Sequence, residues 1–177
     1  MGTPPLVFDT GPLSHFAKAG WLGALKAVVG DCRAVIPDAV VAELEAGAHT
    51  DPRLQTILDA DWIEHHFLTS DPEARAFTRF SSALASGRRN RGEAAVLAVA
   101  ETLPAVAVID DAAGRKAAQA HGIALRPTLT LLCDAIREGL LTLSLVSALA
   151  DDLLATKYRL PFQPGGFEIW AHENNMY

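Results

Sequence analysis

The chain of 177 residues has a formal net charge of −6, from 15 Lys and Arg against 21 Asp and Glu, and half of its residues are hydrophobic. This composition excludes a disordered chain and argues against a surface coated in positive charge for non-specific DNA binding. The cysteines Cys32 and Cys133 lie far apart, which predicts two buried reduced thiols in a cytoplasmic protein. We expect neither a secretory signal nor a membrane span, because no apolar run is long enough.

The first half of the sequence alternates short apolar runs with amphipathic stretches. Leu6–Phe8 and Ala34–Ile36 are predicted to be buried strands, each ended by turn residues or proline. We expect a helix over Leu13–Val29 that is interrupted at Gly20, because apolar residues recur there at helical spacing. The remaining elements predicted in this half are a helix over Ala39–Ala46, a short helix over Asp51–Leu58, a strand over Trp62–Phe67 and a helix from Asp71 to about Ala85.

The second half is predicted to repeat this alternation. The elements expected are a polar, basic loop at Ser86–Arg91, helices over Gly92–Glu101 and Ala112–His121, strands over Ala105–Ile109 and Ile123–Leu125, and helices over Thr128–Glu138 and Ser144–Thr156. The tail Phe162–Tyr177 is expected to be a loosely packed extension, an oligomer contact or a surface for a protein partner.

Short, continuously apolar strands between helices predict a mainly parallel sheet with helices on both faces. With right-handed crossovers, this gives a three-layer α/β/α sandwich followed by a short C-terminal helical extension. We expect one domain over residues 1–177, with a core at about 5–126 and C-terminal helices and a tail at 127–177.

Five carboxylates are predicted to gather at one edge of this sheet: Asp9, Glu43, Glu93, Asp110 and Asp111. Asp9 follows the first strand and the Asp110-Asp111 pair follows Ala105–Ile109, where function collects in open α/β sheets. Each has a plainer interpretation when taken singly, as a helix cap, a turn residue or an exposed helix residue. Together they would account for most of the net charge of −6.

Such a cluster cannot be fully ionised in one pocket without a counter-charge. Carboxylate oxygens suit Mg²⁺ or Mn²⁺ rather than Zn²⁺, and the sequence offers no Cys/His ligand set. A divalent ion held in this way can activate water and stabilise charge on a scissile phosphate. The pattern therefore favours metal-dependent cleavage of a phosphodiester.

A basic stretch precedes Glu93. Between Ala74 and Gly92 there are five arginines and no acidic residue. We expect Arg88, Arg89 and Arg91 to contact phosphate, with Arg115 as a further contact, since guanidinium groups pair well with phosphate oxygens. A solvated basic loop is the alternative interpretation.

Four short segments resemble, in order, the motifs of PIN-domain ribonucleases. They are Leu6–Leu13 with Asp9, Ile36–Leu44 with Glu43, Arg91–Val96 with the Gly92-Glu93 pair, and Val108–Ala118 with Asp110 and Asp111. The later segments Gly122–Leu132 and Ala135–Gly139 resemble VapC-like bacterial toxins with a longer C-terminus. The resemblance covers about residues 5–150.

The resemblance implies a metal-dependent endoribonuclease, usually the toxin of a toxin–antitoxin pair and often a homodimer, with RNA as substrate and a cognate antitoxin as partner. The metal-binding acids would be Asp9, Glu43, Glu93 and one of Asp110 and Asp111. The family's Thr-x-Asp motif would select Asp111, although Ile109 stands at the Thr position, whereas Asp110 ends the strand more directly. Both stay candidates, and the Thr10 hydroxyl would orient a metal-bound water or the phosphate.

Two other interpretations stay open. One is a non-catalytic PIN-like module that binds RNA or protein, against which the full acidic set argues. The other is a Mg²⁺-dependent phosphotransfer domain of the receiver or haloacid-dehalogenase type. Asp9-Thr-Gly stands where the latter has Asp-x-Asp, and Arg126-Pro127 stands where a receiver has a lysine.

Overall fold

A short parallel sheet lies at the centre of the computed structural model, which describes residues 3–84 and 90–176. Its strands are β1 (Leu6–Phe8), β2 (Ala34–Pro37), β3 (Ile63–His66) and β4 (Val106–Val108). The strand order is β3-β2-β1-β4 and every pairing is parallel, which confirms the predicted sheet. Because β1 and β4 are neighbours, the chain segments that follow them emerge side by side.

Helices cover both faces of this sheet. Every residue of β1 and β2 is buried. Because successive side chains of a strand point to opposite faces, complete burial requires a layer on each side. The predicted three-layer α/β/α sandwich of PIN-like type is therefore confirmed.

Ten α-helices are found in the described part of the chain. They are α1 (Thr10–Ala19), α2 (Leu22–Val29), α3 (Asp38–Ala48), α4 (Gln55–Leu58) after a 3-10 turn at Pro52–Leu54, α5 (Asp71–Ala83), α6 (Arg91–Thr102), α7 (Ala112–Ala120), α8 (Thr128–Arg137), α9 (Leu143–Ala155) and α10 (Phe167–Glu173). None of these helices is long and apolar enough to cross a membrane.

Helix α6 is the most deeply buried of these helices. All its residues from Gly92 to Ala100 are buried, and it packs against α3, α5 and the strands β1, β2 and β4. Its many alanines allow neighbouring backbones to approach closely. Arg91 is the first residue of this helix and is exposed, so its predicted place in the preceding loop is wrong.

Helix α1 begins at Thr10, three residues before the predicted start at Leu13. The sequence Gly11-Pro12 had suggested a turn, but Pro12 lies in the first helical turn, where its missing N–H needs no partner. Asp9 is the residue that precedes this helix, and its side chain makes no capping hydrogen bond. The predicted interruption at Gly20 is correct, since Gly20 ends α1 with a φ of 79°.

The predicted strand at Ile123–Leu125 is wrong. Only one parallel bridge, between Ala107 and Leu125, forms beside β4. The N–H of Arg126 donates to the oxygen of Ala107, at 3.0 Å. The next residue, Pro127, has no N–H to continue the ladder, and α8 begins at once.

The tail is not loosely packed, which corrects the expectation for Phe162–Tyr177. In its described part Phe162, Phe167 and Ala171 are buried within the main hydrophobic core. The rings of Phe162 and Trp170 pack with centroids 5.4 Å apart. Helix α10 packs on α9, which in turn packs on α1, so the C-terminal helices extend the core.

Both cysteines are free. Cys133 is fully buried on α8, and this burial raises the pKa of its thiol to about 11. Cys32 is only partly buried, so the expected burial holds for one thiol of the two.

Candidate active site

Three carboxylates follow the two adjacent strands β1 and β4. Asp9 comes directly after β1, and Asp110 and Asp111 come after β4 and the buried Ile109. The strands are in register at Phe8 and Val108, and the N–H of Asp9 donates to the oxygen of Val108, at 3.1 Å. This parallel pairing places the three carboxylates at one edge of the sheet.

Two helices add Glu43 and Glu93 to the same edge. Glu43 lies on α3, and Glu93 lies in the first turn of α6. A Cβ atom on Gly92 would stand 2.8 Å from Oε2 of Glu43 and 3.2 Å from Oδ1 of Asp9. The carboxylates of Asp9 and Glu43 therefore converge on Gly92, where a side chain would collide with them.

Two hydrogen bonds fix the carboxylate of Glu43. Thr10 Oγ1 donates to its Oε2 at 2.5 Å, and the N–H of Gly92 donates to its Oε1 at 3.0 Å. The Thr10 hydroxyl, which we expected to orient a metal-bound water or the phosphate, thus contacts Glu43. The sequence motif Gly92-Glu93 serves two purposes, since its glycine binds one acid and its glutamate supplies another.

Glu93 carries a carboxylate that is buried without compensation. Its Oε2 has no hydrogen-bond partner among the described residues. Burial, together with the nearby charges of Asp9, Asp111 and Glu43, raises the pKa of Glu93 to about 7. Gly114 on α7 leaves room for this carboxylate, because a Cβ there would stand 3.3 Å from Oε2.

Asp9 is perturbed in the same direction. Burial raises its pKa to about 7, against the lowering effect of the Thr10 and Gly11 amides. The charges of Glu43 and Asp110 contribute to this rise. The charge of Asp9 in turn raises the pKa of Glu93, as expected for acids that lie close together.

The two neighbouring aspartates have different partners. Asp110 accepts hydrogen bonds from the N–H and Oγ1 of Thr128, at 2.8 and 2.7 Å, and from the Tyr158 hydroxyl. Asp111 is exposed and caps α7 by accepting from the N–H of Ala113, at 2.8 Å. Both charges still reach the pocket, since Asp110 raises the pKa of Asp9 and Asp111 raises that of Glu93.

Sequence reasoning missed Thr128 and Tyr158, which hold Asp110. The start of a helix after Pro127 could have suggested Thr128 as a residue in need of a capping acid. Nothing in the sequence around Tyr158 pointed to a partner 48 positions earlier.

The donor set fits a hard divalent cation in its chemistry. All five acids offer oxygen atoms, and Glu93 Oε2 is buried without a partner. Among the described residues, however, no three His, Cys, Asp or Glu side chains stand in a ready-made metal cage. The reason is visible in the contacts, because Glu43, Asp110 and Asp111 each direct a carboxylate to hydrogen-bond donors of the protein.

Two of the predicted phosphate contacts, Arg91 and Arg115, lie at two different clefts beside these acids. Arg91 is exposed, with its guanidinium carbon 6.0 Å from the ring centroid of Phe77, at a cleft of about 750 Å³ that Glu43 also lines. Arg115 is exposed on α7, at a different cleft that includes Asp110. Arg88 and Arg89 lie outside the described residues.

This parallel sheet, with a cluster of acids at the carboxyl ends of the adjacent strands β1 and β4, defines an α/β protein with a nuclease-like fold. The chain belongs to the PIN-domain family, since the family model DUF3368, described as a PIN domain, matches residues 5–163. PIN domains are generally nucleases that bind nucleic acid and usually use divalent metal ions. Comparison with curated proteins gives no match.

Proposed function

We propose that this protein is a metal-dependent endoribonuclease that uses Mg²⁺ or Mn²⁺. The observation that carries the proposal is the pair Asp9 and Glu93, a partly buried and a buried acid that lie close together, both with a pKa raised to about 7. Two neighbouring acids of this kind do not stabilise the folded state. A bound cation would supply the counter-charge that they need. Membership of the PIN-domain family supports the nuclease over the phosphotransfer alternative.

In this proposal Asp9 and Glu93 hold the metal, and Asp110 and Asp111 stand beside them as further ligands. When bound, the ion would activate water and stabilise charge on the scissile phosphate. Glu43 is held by Thr10 and Gly92, so it borders the pocket in a fixed position. Asp110 is held in the same way by Thr128 and Tyr158. The protein therefore orients its acids before substrate binds.

Arg91 and Arg115 would bind the substrate backbone, because they are exposed cations at two different clefts, each of which one of the acids also lines. The sequence adds Arg88 and Arg89 to these proposed phosphate contacts. A backbone with a phosphate on each side of the scissile bond matches this arrangement. The choice of RNA rests on the resemblance of the four acidic motifs to PIN-domain ribonucleases.

The test is cleavage of a fluorescently labelled single-stranded RNA in the presence of Mn²⁺ or Mg²⁺. We expect the wild-type protein to cleave it, EDTA to stop cleavage, and Asp9→Asn to reduce the rate by at least 100-fold. Glu64→Gln is the matched control, because Glu64 is exposed on β3 and pairs with Arg33. Calorimetric titration with Mn²⁺ should show binding to the wild type and weaker binding to Asp9→Asn.

Cleavage by Asp9→Asn at the wild-type rate would contradict the proposed site. RNA binding without any cleavage, and without Mn²⁺ binding, would instead identify a non-catalytic module. Because no group of three potential ligands stands ready in the described part of the chain, Mn²⁺ binding is measured separately from cleavage.

We also propose that the enzyme is a VapC-like toxin of a type II toxin–antitoxin pair, a homodimer in the cytoplasm with a cognate antitoxin. The support is the resemblance of residues 122–139 to the toxins with a longer C-terminus. Induced expression in a bacterial host should arrest growth, and Asp9→Asn should not. Light scattering should give twice the chain mass of 18.8 kDa. Normal growth during expression of active enzyme would contradict the toxin role.

A further inference from the structure

A second cleft, of about 400 Å³, lies beside Asp110 and is built largely by the C-terminal third of the chain. We call it the C-terminal cleft. Its walls include Arg115 of α7, Leu129 of α8, Tyr158 and Arg159 after α9, and Trp170 of α10. This volume falls in the range of roughly 300–1,000 Å³ that is usual for small-ligand sites.

Two cations at this cleft have no carboxylate partner among the described residues. Arg115 and Arg159 are exposed, and neither forms an ion pair within the part of the chain that the structure describes. The nearby Arg126 and Arg137 differ, since both pair with Asp134. In a chain of net charge −6, two uncommitted guanidinium groups next to an acidic pocket favour an anionic ligand.

Aromatic and apolar residues line the same cleft as these cations. Trp170 is partly buried, and its ring packs against Phe162 and Phe167. Two contacts fix the side chain of Tyr158. Its ring centroid lies 4.6 Å from that of His15, and its hydroxyl donates to Asp110. Rigid aromatic faces beside guanidinium groups are what proteins use to hold unpaired bases and their phosphates.

The C-terminal cleft borders the acids at Asp110, which lines the cleft and follows β4, the strand that pairs with β1 next to Asp9. A strand whose phosphate lies at the acids would therefore direct its next nucleotide into the cleft. We propose that the C-terminal cleft binds the nucleotide of single-stranded RNA next to the scissile phosphate, with Arg115 and Arg159 on the backbone and Trp170 against the base. This inference rests on the proposed ribonuclease function.

The first test measures binding of a labelled single-stranded RNA by fluorescence anisotropy in EDTA, over a range of salt concentrations. For single strands the slope of log K against log salt is about −0.7 for each phosphate contact. We expect Arg115→Gln and Arg159→Gln each to reduce that slope by about 0.7 and to weaken binding several-fold. Both arginines are exposed, so both variants should fold.

Arg33→Gln is the matched control, because it also removes one exposed arginine but lies just before β2, at the opposite end of the sheet. It should leave the salt slope unchanged. The second measurement is photo-crosslinking of the same RNA carrying 5-iodouridine, followed by mass spectrometry of the peptides. Crosslinks to Tyr158 or Trp170 would support the proposal, and crosslinks confined to Phe77 would overturn it by placing the base in the cleft beside Glu43.

The two proposals fail in different ways. If the wild type cleaves RNA but Arg115→Gln and Arg159→Gln keep the salt slope of Arg33→Gln, the C-terminal cleft is not a binding subsite and the ribonuclease proposal stands. If the wild type binds RNA in EDTA with these slopes but never cleaves it, the cleft assignment stands and the catalytic proposal fails.

Discussion

Glu73 and Glu93 occupy the same position in the first turns of the neighbouring helices α5 and α6, three residues after the residue that precedes each helix. Both are buried, with relative exposures of 5% and 8%. Glu73 is surrounded by donors. Its carboxylate accepts from the N–H and Oγ of Ser70, at 2.9 and 2.7 Å, and bonds to His66 Nε2 at 2.5 Å.

Glu93 has none of this support. Asn90 precedes its helix but makes no cap, because its side chain donates to the oxygen of Leu84. The pKa values show the result. Burial alone would raise the pKa of Glu73, yet hydrogen bonds from His66 and Ser70 hold it at about 2, whereas burial and neighbouring acids raise that of Glu93 to about 7. A buried acid with a complete set of hydrogen-bond donors therefore stabilises the fold. A buried acid without such donors is suited to binding a cation.

The largest expected difference is in activity. Glu93→Gln should lower RNA cleavage by at least 100-fold, because it removes a proposed metal ligand without changing the shape of the side chain. Glu73→Gln is the control and should keep the activity of the folded protein within about twofold. Initial rates at saturating Mn²⁺ measure the activity of both variants. Equal losses would contradict a specific role of Glu93 in cleavage.

Metal binding should stabilise only a chain that keeps Glu93. At 100 times the dissociation constant, a ligand adds about 2.7 kcal/mol to the free energy of unfolding. Differential scanning fluorimetry with added Mn²⁺ should therefore raise the melting temperature of the wild type and of Glu73→Gln. Glu93→Gln should respond much less, and an undiminished response there would show that the metal binds elsewhere.

The two acids should give opposite pH dependences in EDTA. The folded pKa of Glu93, about 7, lies above its ordinary value of 4.5, so its contribution to stability is present below pH 4.5 and is lost as the pH rises through 7. We expect the wild type to lose about 1–3 kcal/mol relative to Glu93→Gln over this range. The folded pKa of Glu73, about 2, lies below 4.5, so its contribution is present above pH 4.5 and is lost as the pH falls through 2.

Urea denaturation of the wild type and both variants, at steps across this pH range, measures these differences. Parallel curves for the wild type and Glu93→Gln between pH 4.5 and 7 would show that the Glu93 charge is already compensated in the metal-free protein.

The smallest expected effect is structural. Glu73→Gln should lower the free energy of unfolding at pH 7 by about 1 kcal/mol, since glutamine can still serve in a capping box but loses the charge that His66 and Ser70 stabilise. Glu93→Gln should be neutral or stabilising in EDTA. A larger loss in Glu93→Gln would mean that its carboxylate is a structural element.

Much of the fold could be predicted from local sequence. The strands β1, β2 and β4 are short apolar runs ended by turn residues or acids, and they were placed within one or two residues. The prediction of a strand at Ile123–Leu125 was wrong because strand pairing depends on the partner strand and on Pro127. Local hydrophobicity carries no information about either. The expectation of a loosely packed tail was wrong for a related reason, since Phe162 and Phe167 are buried by tertiary packing, with α10 against α9.

Local sequence patterns are enough to predict which acids follow the strands, and that parallel strands bring them to one edge. Which of these acids already have hydrogen-bond donors depends on tertiary contacts. Thr10 and Gly92 hold Glu43, and Thr128 and Tyr158 hold Asp110, while Asp9 and Glu93 keep a raised pKa. The physical reason is that alternation and turn chemistry are local, whereas the hydrogen-bond donors and charges that set the state of a buried acid come from residues far along the chain.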